Sequence, residues 1–159
     1  MSKFLRQGFS FVLPVIVLIL IPLWIEPRII VRNIPALIIG FIIMFAGLYL
    51  IPVTVLAIIR MGDGTLAPWS PTKKLVTRGI YGFVRNPMIL GVLITLLGES
   101  VTILSAQIFK WLIIFFIINN IWFFIFEEPN LEKKFGEQYR EYKKNVPRWI
   151  PRLRSWRSH

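Results

Sequence analysis

Cysteine is absent from the 159-residue chain. Disulfides, thiolate nucleophiles and cysteine-ligated metals are therefore excluded. Histidine is almost absent too, its one copy being His159. A lone solvated imidazole supports neither general-base catalysis nor a histidine metal site, so no metal centre is expected. Acidic residues are few: 8 Asp and Glu stand against 19 Lys and Arg, a formal net charge of +11. The first apolar run follows Lys3 and Arg6 as a signal peptide would, yet it lacks a small-residue cleavage site and contains Pro14 and Pro22. It reads as a retained helix.

Apolar residues are abundant, at 55% of the chain. A water-soluble domain of this length has too little interior to bury so many. No charge occurs from Gln7 to Ile25 or from Asn33 to Ile59, and each run approaches or exceeds the roughly 20 apolar residues that cross a bilayer. The reading is an all-α integral membrane protein with about four transmembrane helices. The spans run from about Gly8 to Ile25, Ile34 to Ile59, Pro87 to Ile108 (interrupted by Glu99) and Trp111 to Phe126. The last two form a helical hairpin through the short, nearly uncharged link from Ser100 to Gln107. Gly40 and Gly47 lie two turns apart and permit close helix contact, while Pro52 is expected to kink the second span. Residues 1–60 form an N-terminal pair of spans, and residues 61–159 a separate functional half.

The positive charges flank the apolar runs, which points to lipid headgroups rather than nucleic acid. Lys3 and Arg6, the loop cations Arg60, Lys73, Lys74, Arg78 and Arg85, and nine Lys and Arg after Phe126 all fall on one side of a four-span arrangement. Both termini are then cytoplasmic. The compact length suggests a prokaryotic plasma membrane. In the tail, Pro129 is expected to open a new helix. Leu131, Phe135, Tyr139, Tyr142 and Val146 recur at spacings of three and four, the apolar stripe of a cytoplasmic amphipathic helix that lies against the membrane surface or caps the helical hairpin.

Three places carry candidate chemistry. Asn119 and Asn120 sit in an apolar run that ends at Glu127 and Glu128. Polar groups at that depth need partners or a wet cavity, and interhelical hydrogen bonding is the plainer use for the asparagines. Asn120 and Glu127 are seven apart and are expected to share a face. The segment from Thr77 to Met88 carries Gly79 and Pro87 and places a turn at a helix N-terminus, where exposed amides suit an anionic or zwitterionic ligand. Val146-Pro147-Arg148-Trp149-Ile150-Pro151 is stiffened by two prolines and sets a tryptophan at the interface.

In order, Leu75-Val76-Thr77-Arg78-Gly79-Ile80-Tyr81, Arg85-Asn86-Pro87-Met88-Ile89-Leu90-Gly91, Glu127-Glu128-Pro129-Asn130-Leu131, the stretch from Phe135 to Tyr142, and Val146-Pro147-Arg148 resemble the isoprenylcysteine carboxyl methyltransferase and phospholipid methyltransferase superfamily. The resemblance covers about Leu66 to Pro151. It implies an S-adenosylmethionine-dependent methyltransferase whose lipophilic acceptor, an isoprenylcysteine-carboxylate-like or lipid molecule, enters sideways from the bilayer. By position, cofactor contacts would come from Lys73, Lys74, Leu75, Val76, Tyr81, Asn86, Pro87, Met88, Ile89 and Glu127. Glu128 and Arg148 would position substrate or close the site. The chain departs from the family pattern in three places. Asn86 stands where the family has histidine, Ile89 where it has tyrosine, and Phe123 where the prenylcysteine enzymes carry an arginine for the substrate carboxylate. The missing guanidinium points away from prenylcysteine and toward an apolar-tailed amine, thiol, hydroxyl or other carboxylate. The competing readings are a nicotinamide-dependent membrane reductase of the sterol-reductase type and a non-catalytic four-helix scaffold.

Overall fold

A computed structural model describes residues 14–28, 30, 33–61 and 74–156. Lys73, Lys3, Arg6 and the start of the first span lie outside the described residues. Among the described residues every regular element is helical. Helix α1 is Ile16–Ile25, α2 is Ile34–Met61, α3 is Pro87–Thr102, and α4 runs from Ala106 through the acidic pair to Phe135. Helix α5 is Glu137–Asn145, and a tight helical turn, Gly79–Gly82, precedes α3. Among the described residues two helices, α2 and α4, are long and apolar enough to cross a membrane. In each, only 17% of the most apolar stretch is buried within the molecule. Ile34, Ile38, Ile42, Phe45 and Tyr49 point outward from α2, as do Ile114, Ile118, Ile121 and Phe124 from α4. In water such faces would be costly.

The most extensive packing is α2 against α3, and small residues make it possible. A methyl at Gly40 would strike Thr102, one at Gly47 would strike Thr95 and the Gly91 carbonyl, and one at Gly98 would strike the Met44 backbone. The expected contact role of Gly40 and Gly47 is thus met by a matching pair, Gly91 and Gly98, on an antiparallel partner. The threonine hydroxyls in the seam are satisfied locally. Thr54, Thr95 and Thr102 donate to the carbonyls of Leu50, Gly91 and Gly98 at 2.8, 2.8 and 2.7 Å. No polar hydrogen needs a partner across the contact. The dry core continues through Val17, Ile51, Val55, Val92, Leu93, Leu96 and Phe115, so all four helices contribute.

The third and fourth helices form the expected hairpin, but with a tighter link. Helix α3 stops at Thr102, and residues 103–105 make the turn. Leu104 takes a left-handed backbone with φ 52°. Ser105 then caps α4 by accepting from the Ile108 amide at 3.3 Å, and its hydroxyl donates to Glu26 at 2.9 Å. The cap fixes the start of α4 and the ion-dipole contact ties it to the end of α1. Apolarity alone could not locate this turn, because Ile103, Leu104 and Ile108 continue the apolar pattern.

Prolines leave two further marks. Ile21-Pro22 and Glu128-Pro129 each follow a widened turn in which the residue before proline donates five residues back, Ile21 to Ile16 and Glu128 to Phe123. Such a turn makes room for the proline ring without ending the helix. In α1 it strands the Val17 carbonyl: Ile21 donates elsewhere and Pro22 has no N–H. The Trp111 indole N–H donates to that carbonyl at 3.2 Å, joining α1 to α4. Pro129 sits in the first turn of the helical segment Glu128–Phe135, as the sequence suggests, but that segment continues α4 without a break. Its ring is absorbed by the wide turn, and α4 continues to Phe135. The break in the tail comes instead at Gly136, φ 55°, where α5 begins in a new direction. Nothing crowds a side chain there, so it is the positive φ that favours glycine.

Candidate functional site

The widened turn at Phe123–Glu127 decides which side chain faces the interior. One extra residue in the turn shifts the helical phase, so positions about eight apart share a face where about seven would otherwise. Asn120 consequently lines up with Glu128, not with Glu127 as the regular spacing predicted. Arg148 bridges that pair. Its Nε donates to Glu128 Oε1 at 2.8 Å, and its Nη1 reaches Asn120 Oδ1 at 3.4 Å.

Glu128 is only 4% exposed, and three cations converge on it. Arg85 Nη1 lies 2.7 Å from Oε1, Lys143 Nζ lies 2.9 Å from Oε2, and Arg148 adds a second, short contact through Nη2. These cations come from the turn before α3, from α5 and from the tail. One carboxylate therefore joins three elements that are far apart in sequence. Arg85 strengthens the junction through its Nε, which donates to the Val146 carbonyl at 2.8 Å, and through its amide, which donates to Pro147 at 2.9 Å. A buried carboxylate of this kind is tolerable only because its lone pairs are filled.

The tail is stitched along the same turn. Arg152 and Trp156 donate backbone hydrogens to Phe83 and Gly82, both at 2.9 Å. The Tyr142 hydroxyl donates to the Tyr81 carbonyl at 2.7 Å. Burial holds the Tyr142 phenol well above its ordinary pKa, so it stays protonated and able to donate. Burial, and secondarily the Glu128 charge, pushes Tyr139 up to about 12. Tyr139, Tyr142 and Val146 form a second apolar cluster with Leu75, Leu131, Phe135 and Trp156. Trp149 donates its indole N–H to Asn120 at 2.9 Å and packs on Phe116 and Phe123, ring centroids 5.4 and 5.9 Å away. Asn120 thus ties α4 to the tail. Among the described residues Asn119 bonds only within its own helix, donating to Phe115 at 2.8 Å. Phe123, which occupies the position of the prenylcysteine enzymes' arginine, is buried in this aromatic group.

Glu127 behaves differently from its neighbour. It is half-buried and, among the described residues, makes no hydrogen bond or ion pair. Its charge is felt by Tyr81, whose phenol is raised first by burial and then by Glu127. Tyr81 leads into the N-terminus of α3, where the Asn86 side chain makes no capping bond. The Met88 and Ile89 amides thus receive no side-chain acceptor from the cap. Of the other expected contact residues, Pro87 and Val76 are buried, Lys74 is exposed, Leu75 packs on the tyrosine cluster and Ile89 on the main core. Lys73 lies outside the described residues. Reading the sequence picked out Glu128 and Arg148 but missed that they bind each other, and it missed Lys143 and the central place of Arg85.

A family model for phospholipid methyltransferases matches residues 35–138, which include α2, α3 and the acidic pair. The chain is 37% identical over 81 residues to protein-S-isoprenylcysteine O-methyltransferase B of Arabidopsis thaliana, covering 49% of this chain and 40% of that protein. It is 36% identical over 80 residues to protein-S-isoprenylcysteine O-methyltransferase of Schizosaccharomyces pombe, covering 48% of this chain and 33% of that protein. An uncharacterized protein of Haemophilus influenzae is matched over its full length, at 36% identity across 63 residues and 40% of this chain. The chain spans less than half the length of the two named enzymes. No solved structure gives a significant match. A family match over well more than half the sequence settles membership: the chain belongs to the phospholipid methyltransferase family.

Proposed function

We propose that the chain is an integral membrane methyltransferase that uses S-adenosylmethionine and methylates a lipophilic acceptor arriving from the bilayer. The observation that carries this reading is the division of labour at the end of α4. Glu128 is filled by three cations, whereas Glu127 sits half-buried beside Tyr81 with no hydrogen bond or ion pair among the described residues. A carboxylate at that depth calls for a partner. Ribose hydroxyls or an ammonium group would supply one.

The residues present fit the cofactor. Glu127 would hold its hydroxyls or amino group. The first-turn amides of α3, uncapped by Asn86, suit its carboxylate. Tyr81, Leu75 and Val76 would pack around the adenosine, and Lys74, Pro87, Met88 and Ile89 would line the rest; Lys73, outside the described residues, is assigned to the cofactor from the sequence alone. When bound, the cofactor supplies a methyl group already activated as part of a sulfonium. The protein's work is then alignment and exclusion of water. Glu128 and Arg148 act by placement: they hold the Arg85–Pro87 turn, α5 and the tail in one arrangement. No described side chain near Glu127 serves as a strong base, which suits an acceptor that is a neutral amine or a carboxylate.

In the proposed topology four helices cross the bilayer. Both termini face the cytoplasm, and α5 with its Tyr139 and Tyr142 stripe lies at that surface. Burial of Phe123 favours an acceptor that needs no guanidinium clamp at that position. The test is transfer of labelled methyl from S-adenosylmethionine by the purified chain in proteoliposomes of bacterial lipid extract. Label entering the organic phase, and suppressed by excess S-adenosylhomocysteine, is the expected result. A folded protein that takes up no labelled cofactor would contradict the reading.

A further inference from the structure

On the outer side of the α4–α5 corner lies an open groove whose lining includes Phe124, Pro129, Glu132, Lys133, Arg140 and Lys143, with Glu128 at its base. None of the residues assigned above to the cofactor lines it. One wall is apolar: Phe124 is 70% exposed and continues the outward face of Ile121 and Ile125. The opposite rim is cationic. Lys133 is exposed and has no ion pair among the described residues. Arg140 is exposed and engages Glu132 at 2.7 Å and Glu137 at 3.5 Å. Lys143 reaches Glu128, but that carboxylate is already shared by Arg85 and Arg148. Three cations of the lining, Lys133, Arg140 and Lys143, face its two carboxylates, Glu128 and Glu132, and Lys133 is left without an ion pair among the described residues.

We infer that this groove is a binding site for the headgroup of an anionic phospholipid, separate from the methyl-transfer centre. The inference rests on the chain's placement in a membrane and not on the methyl-transfer reading. Complementarity selects a lipid over a free anion. A free anion would need only the cationic rim. An anionic lipid matches both walls at once, its phosphate on Lys133, Arg140 and Lys143 and its acyl chains along Phe124, Ile121 and Ile125. The groove sits where α4 leaves its apolar stretch, the depth at which a phosphate group lies, and long lysine and arginine stems reach that level readily. A lipid held there would dock the α4–α5 corner, and with it the Glu128 junction, against the membrane surface.

The test uses the full chain in micelles containing equal amounts of phosphatidylglycerol and phosphatidylcholine, with retained lipids counted by native mass spectrometry. The expected result is selective retention of phosphatidylglycerol, with Lys133→Gln and Arg140→Gln each lowering the preference roughly fivefold. Both side chains are exposed, so the variants keep the thermal midpoint of the parent. Lys110→Gln, at the far end of α4, leaves the preference unchanged. Equal retention of the two lipids overturns the proposal. So does an unaltered preference in both rim variants, or an equal loss in Lys110→Gln, which would mark diffuse attraction. Displacement of the lipid by excess inorganic phosphate would reduce the groove to a phosphate site and overturn its assignment to a lipid.

Discussion

Along the α2–α3 seam, contact is achieved by taking side chains away. Gly40, Gly47, Gly91 and Gly98 let backbones meet, and each threonine hydroxyl turns back on its own helix. Around Glu128, contact is achieved by bringing charge in. One carboxylate gathers Arg85, Lys143 and Arg148 from three elements. The seam resists enlargement and tolerates little else, whereas the junction resists any loss of charge. The two regions teach that close packing suffices where the surroundings are apolar throughout, but that the corner where helix, turn and tail meet is ordered by ionic and hydrogen-bonded contacts that specify one arrangement. Glu127 belongs to neither region, and in the proposed reading it is the one left for the cofactor.

Removing the charge at the junction should have the largest effect. Glu128→Gln leaves three cations gathered around a neutral group and is expected to cost about 3–5 kcal/mol, as breaking a buried ion cluster does. Thermal unfolding of the purified chain measures it. A loss smaller than that of the seam variant would break the contrast between the two regions. The seam variant comes next. In Gly98→Ala the new methyl meets the Met44 backbone, which cannot swing aside, and the expected cost is about 1–3 kcal/mol from overpacking. The same scan reads it. An unchanged midpoint would mean that the two helices have room to separate, contrary to the close approach described here.

Much of the architecture could be read in the sequence, because uncharged runs of the right length are hard to place anywhere but in lipid-facing helices. The start of α3 was marked by Pro87, and the seam by the two-turn spacing of Gly40 and Gly47. The site was less legible. Asn120 and Glu127 looked co-facial because a regular helix was assumed. The only local sign of the widened turn was Pro129, and a proline there fits a new helix as well as an accommodated bulge. Gly136 carried the signal for the tail break, but the apolar stripe running past it argued for continuity. Glu128 pairs with residues 43, 15 and 20 positions away. In a chain with 19 basic residues, charge alone does not say which three will meet it.

The central claim is that adjacent carboxylates have parted roles, Glu128 for structure and Glu127 for the cofactor. The direct measurement is calorimetric titration of detergent-purified Glu127→Gln with S-adenosylhomocysteine, alongside the parent and with thermal unfolding in parallel. The account predicts a midpoint unchanged to within about 0.5 kcal/mol of stability, as for a residue with no hydrogen bond or ion pair among the described residues, together with binding weakened at least tenfold. Binding at the parent's strength, or a collapse in stability like that of Glu128→Gln, would contradict it.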